Sequence, residues 1–125
     1  MNFTLQEIMD SIETWLIKGD LNPAILADNF RFISPFWESN DKNAFLDKFL
    51  DPTEYKEKSL SNILRFDPVI KLKSDDHKHF SIILQYHTKY DVSVDEAVLG
   101  TVENGLLVEL RSIYDLAKTK EAHRL

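Results

Sequence analysis

From Leu5 onward apolar side chains return every three or four positions, at Ile8, Ile12, Trp15 and Leu16, which is the period of an amphipathic helix. Thr4-Leu5-Gln6-Glu7 has the form of a capping box that starts it. Phe3 and Ile8 stand at the two positions of a hydrophobic staple, and Gly19 supplies the stop. Asn22 before Pro23 reads as the cap and first-turn proline of a shorter helix through Ala24, Ile25, Leu26 and Ala27. From Asn29 the period falls to two. Phe30, Phe32 and Ser34 alternate with Arg31 and Ile33 until Pro35, which predicts a short strand. Asp41 caps a third helix with the apolar stripe Phe45, Leu46, Phe49 and Leu50, and Asp51, Pro52 and Glu54 suggest one more helical turn.

Beyond Ser59 the pattern predicts strands over Leu60–Phe66, Val69–Leu72, His79–Tyr90, Val94–Val102 and Leu106–Asp115. Asp67-Pro68 marks a kink or bulge, Ser74-Asp75-Asp76 a turn, and Asn104-Gly105 a type I′ hairpin, so these strands are antiparallel neighbours. Helices gathered before such strands give an α+β layer architecture, with the helices covering one face of a curved sheet. In the last strand Val108, Leu110, Ser112 and Tyr114 point one way, and Glu109, Arg111, Ile113 and Asp115 the other. Ala117–Leu125 reads as a short polar helix.

The 125 residues suit one domain, 1–125, around a single core. No apolar run approaches the roughly 20 residues of a membrane span, and the first residues lack the basic start and apolar core of a signal peptide, so a cytoplasmic location without membrane contact is expected. With no cysteine there are no disulfides, thiolate nucleophiles or cysteine metal sites. A formal charge of −6 without a Lys/Arg cluster opposes nucleic-acid binding. Only three glycines are present, at 19, 100 and 105, and none forms a phosphate-cradling loop. No metal or other cofactor is expected. His77 and His79 flank Lys78 beside a turn, without a third ligand at a telling spacing.

The helix ending in Gly19-Asp20, the segment Ala27-Asp28-Asn29-Phe30-Arg31-Phe32-Ile33-Ser34-Pro35-Phe36, and Asn104-Gly105-Leu106-Leu107 leading to Arg111-Ser112-Ile113-Tyr114-Asp115 together resemble the nuclear transport factor 2-like superfamily, particularly its SnoaL-like and ketosteroid isomerase-like members. The resemblance covers nearly the whole chain. It implies a cone-shaped roll, in which the N-terminal helices pack on the concave face of a strongly curved, mostly antiparallel sheet and leave an apolar pocket at the wide end. It also implies a homodimer through the convex face. Such cones host isomerases, cyclases, dehydratases, epoxide hydrolases and noncatalytic binding modules, so the residues must decide the function.

The resemblance implies, for a steroid isomerase, a carboxylate base before the proline of the first strand, a tyrosine on the first helix and a protonated acid in the penultimate strand. Ser34, Ile12 and, in the register inferred, Ala97 stand at those positions. An epoxide hydrolase of this fold carries Asp after the arginine of the last strand, where this chain has Ser112. The remaining catalytic candidate is Asp95, which on this register shares the inward face with Ala97 and Leu99 and would have a raised pKa there; the alternative is a solvated strand start beside Asp91.

Trp15, Phe36, Trp37, Phe45 and Phe49 concentrate where the cone opens, with Phe32 and Ser34 beside them. Leu84, Tyr86, Ala97, Leu110, Ser112 and Tyr114 complete the expected pocket, the tyrosines either orienting a ligand or filling the core. His87 falls on the outer face, and Asp115 pairs with Arg111 or caps the tail. Three readings stay open: a pocket for a small hydrophobic molecule, an isomerase, cyclase or dehydratase with a non-standard acid/base set, and a noncatalytic dimeric interaction domain.

Overall fold

The computed structural model describes residues 2–49 and 59–125; the turn expected from Leu50, Asp51, Pro52 and Glu54 lies outside them. Helix α1 (Leu5–Lys18) begins at the expected capping box, with Thr4 Oγ1 accepting from the Glu7 amide at 3.1 Å and Glu7 Oε1 from the Thr4 amide at 3.0 Å. It ends at Gly19, whose φ of 78° lets its N–H reach the Trp15 carbonyl. One face buries Leu5, Ile8, Met9, Ile12, Trp15 and Leu16.

Asn22 caps as expected, but only one 3₁₀ turn follows, Pro23–Ile25. Leu26 and Ala27 belong instead to strand β1 (Leu26–Ile33), where Leu26 pairs with Leu107. Pairing to a neighbouring strand overrides the local helical preference. Strand β2 (Glu38–Ser39) turns back on β1, and Asp41 Oδ1 then caps helix α2 (Lys42–Phe49) through the Ala44 amide at 2.7 Å.

The rest of the sheet is β3 (Ile63–Lys73), β4 (His79–Thr88), β5 (Ser93–Glu103) and β6 (Leu106–Tyr114), and the strand order is β2-β1-β6-β5-β4-β3. All neighbours are antiparallel except β1 and β6. The two strands expected over 60–72 are one. Leu60–Asn62 is a 3₁₀ turn, and the register shift between Phe66 and Val69 lets a single strand run past Asp67-Pro68. The β5–β6 hairpin turns at Asn104 and Gly105, both with positive φ, as a type I′ turn requires. A shift after Thr101 gives β6 one extra residue near its start, so Leu107 and Leu110 are both buried and Val108 does not share the face of Leu110. Asp115 ends β6 by capping helix α3 (Leu116–His123) through the Lys118 amide at 2.9 Å.

The helices lie on the concave side of this α+β roll, and Phe80, Ile82, Leu84, Val94, Val98 and Leu110 face them from the sheet. Helix α3 closes on the same side with Thr119 and Ala122 buried. No helix among the described residues is long and apolar enough to cross a membrane.

Candidate functional site

Trp15 of α1, Phe32 of β1, and Phe45 and Phe49 of α2 meet mostly edge to face, with centroids 4.8 to 6.4 Å apart. Trp37 stacks on Phe49 at 5.7 Å. Above this cluster opens a cavity of about 380 Å³, within the size of ordinary small-molecule sites.

Nine of the residues expected to line a pocket do so: Trp15, Phe32, Ser34, Phe36, Trp37, Phe49, Tyr86, Ser112 and Tyr114. Phe45, Leu84 and Leu110 do not. They are almost fully buried and form the packed core instead. Ala97 faces the opposite side of the sheet, paired with Ile83 and Ile113 on the convex face. Sequence reasoning missed Leu16, Lys48, Ser59, Ile63, Phe66, Glu96, Thr119, His123 and Leu125.

The error at Ala97 is a register error of one residue, and it moves the carboxylate. Asp95 is exposed on the outer face, where its Oδ1 accepts from Gln85 Nε2 at 2.9 Å. It is not a base in the cone. Glu96 points inward, directly between Leu84 of β4 and Tyr114 of β6. The penultimate strand therefore does place an acid inside. Burial pushes the Glu96 carboxyl from its ordinary 4.5 up to about 7. Ser34 does occupy the end of the first strand's run and Ile12 is buried on α1, so neither offers an ionisable group.

Two tyrosines and a histidine line the same cavity as the acid. Tyr86 is held neutral by burial and by the Glu96 charge, with the nearby Thr119 hydroxyl pulling the other way. Tyr114 is raised likewise by burial, against the pull of the Ser34 hydroxyl and the Phe36 backbone, and with Glu96 adding to the rise. Ser34 itself bridges the backbone of Trp37, which fixes the loop at the rim. Tyr86 Oη lies 3.1 Å from His123 Nε2, and His123 Nδ1 lies 3.3 Å from Asn62 Nδ2. In this orientation the Asn62 amide nitrogen can only donate, so Nδ1 accepts and Nε2–H points at the Tyr86 oxygen. Burial lowers the His123 pKa, keeping the ring neutral at physiological pH. The Thr119 hydroxyl is buried and meets no partner in hydrogen-bond geometry.

His77 and His79 sit exposed at the β3–β4 turn, where His79 Nδ1 is 3.6 Å from Asp76. His87 faces outward and bonds Ser93. Among the described residues no three His, Asp or Glu side chains gather to hold a metal ion.

By sequence, the chain matches no protein-family model and no curated protein. Solved structures do match its shape. A hypothetical protein with a ketosteroid isomerase-like fold from Catenulispora acidiphila DSM 44928, determined in complex with trimethylamine, has a TM-score of 0.64 at 14% identity, covering 95% of this chain and 93% of that one. A protein provisionally named a polyketide cyclase from Xanthomonas campestris pv. campestris gives 0.67 at 11% identity over 91% and 92%. A protein of unknown function with a cystatin-like fold from Xanthomonas campestris gives 0.67 at 20% identity over 98% of both chains. The chain has the nuclear transport factor 2-like fold. At these identities the likeness carries the shape of a nuclear transport factor 2-like cone and not its chemistry.

Proposed function

We propose that the cone binds a small, mostly apolar molecule and that Glu96 engages the molecule's polar end. The observation that carries this is one inward carboxylate, among the described residues, in a cavity otherwise walled largely by aromatic side chains. Apolar walls supply affinity, and one convergent polar group supplies orientation. Trp15 and Trp37 line the cavity, so a bound molecule changes tryptophan emission. A screen of hydrophobic ketones, lactones, acids and amines, read by emission and thermal shift, is expected to give saturable hits that Trp37→Phe weakens. No saturable hit from any class would overturn the proposal. One neighbour of this fold was determined with trimethylamine, which adds small amines to the molecules worth trying.

A second reading is favoured by the raised Glu96 and its two tyrosines. A carboxyl poised near neutrality can take a proton from carbon next to a carbonyl and return it elsewhere, as an isomerase or cyclase does. Hits carrying such a carbonyl would then exchange that proton with deuterium in wild type and not in Glu96→Gln. Ile70, Ile83, Ala97 and Ile113 pair in one row across the convex face, and Leu72 and Leu99 lie beside it. This apolar row supports a homodimer through that face. A chain free of cysteine fits the reducing cytoplasm.

A further inference from the structure

Among the described residues that line the cavity, Glu96 is the one carboxylate, and the one fixed cation, Lys48, stands at the rim over the Trp37 ring. Among the described residues, nothing bonds or ion-pairs with Glu96, and burial alone sets its protonation. Among the described residues, the titratable and charged groups that share its space are Tyr86 from β4, Tyr114 from β6, His123 from α3 and Lys48 from α2. Both tyrosines are neutral and His123 is kept neutral. Lys48 is exposed at the rim, its ammonium 4.5 Å from the Trp37 ring centroid. Glu96 is half-buried against this space, and its ionised form is favoured by a positive charge beside it, because an unpaired and largely desolvated charge is costly. An anionic ligand would put a second negative charge beside it. A neutral one would leave it unmatched.

The walls favour the same sign. Among the described residues, eight aromatic side chains line the cavity, and the face of an aromatic ring attracts a cation. Lys48 over Trp37 is an instance at the rim, and the deeper rings of Tyr86, Tyr114 and Phe66 have no such occupant from the described lysines and arginines. The formal charge of −6 also draws cations toward the protein.

We propose that the cone takes a lipophilic ammonium ion, a tertiary or quaternary amine with an apolar body, its nitrogen beside Glu96 and its body against Trp15, Phe32 and Phe49. This rests on the reading of the cone as a ligand site and names the ligand's class. The test compares benzyltrimethylammonium with its neutral carbon isostere, neopentylbenzene, by tryptophan emission. At pH 8 the cation is expected to bind at least about tenfold tighter than the isostere, and in Glu96→Gln the two should agree within about twofold. In unmodified protein, lowering the pH to 5 protonates Glu96 and should weaken the cation about tenfold or more while leaving the isostere unchanged. His123→Asn should keep that pH dependence, since the titrating group is Glu96. Equal binding of cation and isostere, cation binding untouched by Glu96→Gln, or a pH dependence that disappears with His123 would each overturn the proposal. If the isostere binds and the cation does not gain, the ligand site stands and the charge assignment falls. If neither binds, both fall.

Discussion

Replacing Glu96 by Gln keeps the side chain's shape and removes its ionisation, so the variant isolates the cost of burying that carboxyl. In the unfolded chain it titrates near 4.5, and in the folded cone near 7. Between those values the folded state holds a proton the unfolded state has released, so stability falls as pH rises through that window and levels off above it. Below 4.5 both states are protonated and the term vanishes. The gap corresponds to roughly 3 kcal/mol, an upper figure because the carboxyl borders a cavity that water can enter. Urea unfolding followed by tryptophan emission at a series of pH values measures it. The stability difference between Glu96→Gln and wild type should widen by up to that amount from pH 4 to pH 8. With a typical urea dependence for a small domain this moves the midpoint gap by roughly 1 to 2 M. Other carboxylates titrate in both proteins and cancel. Two stability curves that run parallel from pH 4 to pH 8 would refute the placement of Glu96 in a desolvated cone.

Gly100→Ala should destabilise by about 1 to 3 kcal/mol in chemical denaturation, because an added Cβ would stand 2.2 Å from Cζ of the Phe80 ring on the paired strand; Phe80→Ala should relieve part of that cost, giving a double-mutant cycle with clear coupling. Ile113→Lys should shift the protein from dimer to monomer in sedimentation while leaving a cooperative melt, and a wild type that sediments as the 14.6 kDa monomer would count against the convex interface.

The features legible in the sequence are those settled by chemistry within a few residues. Thr4 and Glu7 close their capping box, Gly19 stops α1 and Asn104-Gly105 turns the last hairpin, each through local hydrogen bonds or positive φ. Helix α3 is legible as a short polar helix, but its buried face is not. Its packing depends on Thr119 and Ala122, too small and too few to mark a buried face, and that concealed His123 as a wall of the cavity. Leu26 and Ala27 were misassigned because their strand partner, Leu107, lies far along the chain.

The largest miss, Asp95 for Glu96, has a physical cause that bears on function. Strand parity is read from which face is apolar, and β5 is apolar on both: Val94, Val98 and Val102 face the helices, while Ala97 and Leu99 face outward. Alternation alone cannot choose between them. The better signal was the four-residue spacing of Val94, Val98 and Val102, which puts Glu96 and Gly100 inward, with Gly100 giving Phe80 its space. A strand selected only to cover a core needs no outer Leu99 beside a row in which Ile83, Ala97 and Ile113 pair. The ambiguity that hid the acid is thus what a strand serving two interfaces would produce, one toward the cone and one toward a second subunit. Ile113→Lys and Glu96→Gln probe those two faces separately, and their effects should be independent if the faces do separate work.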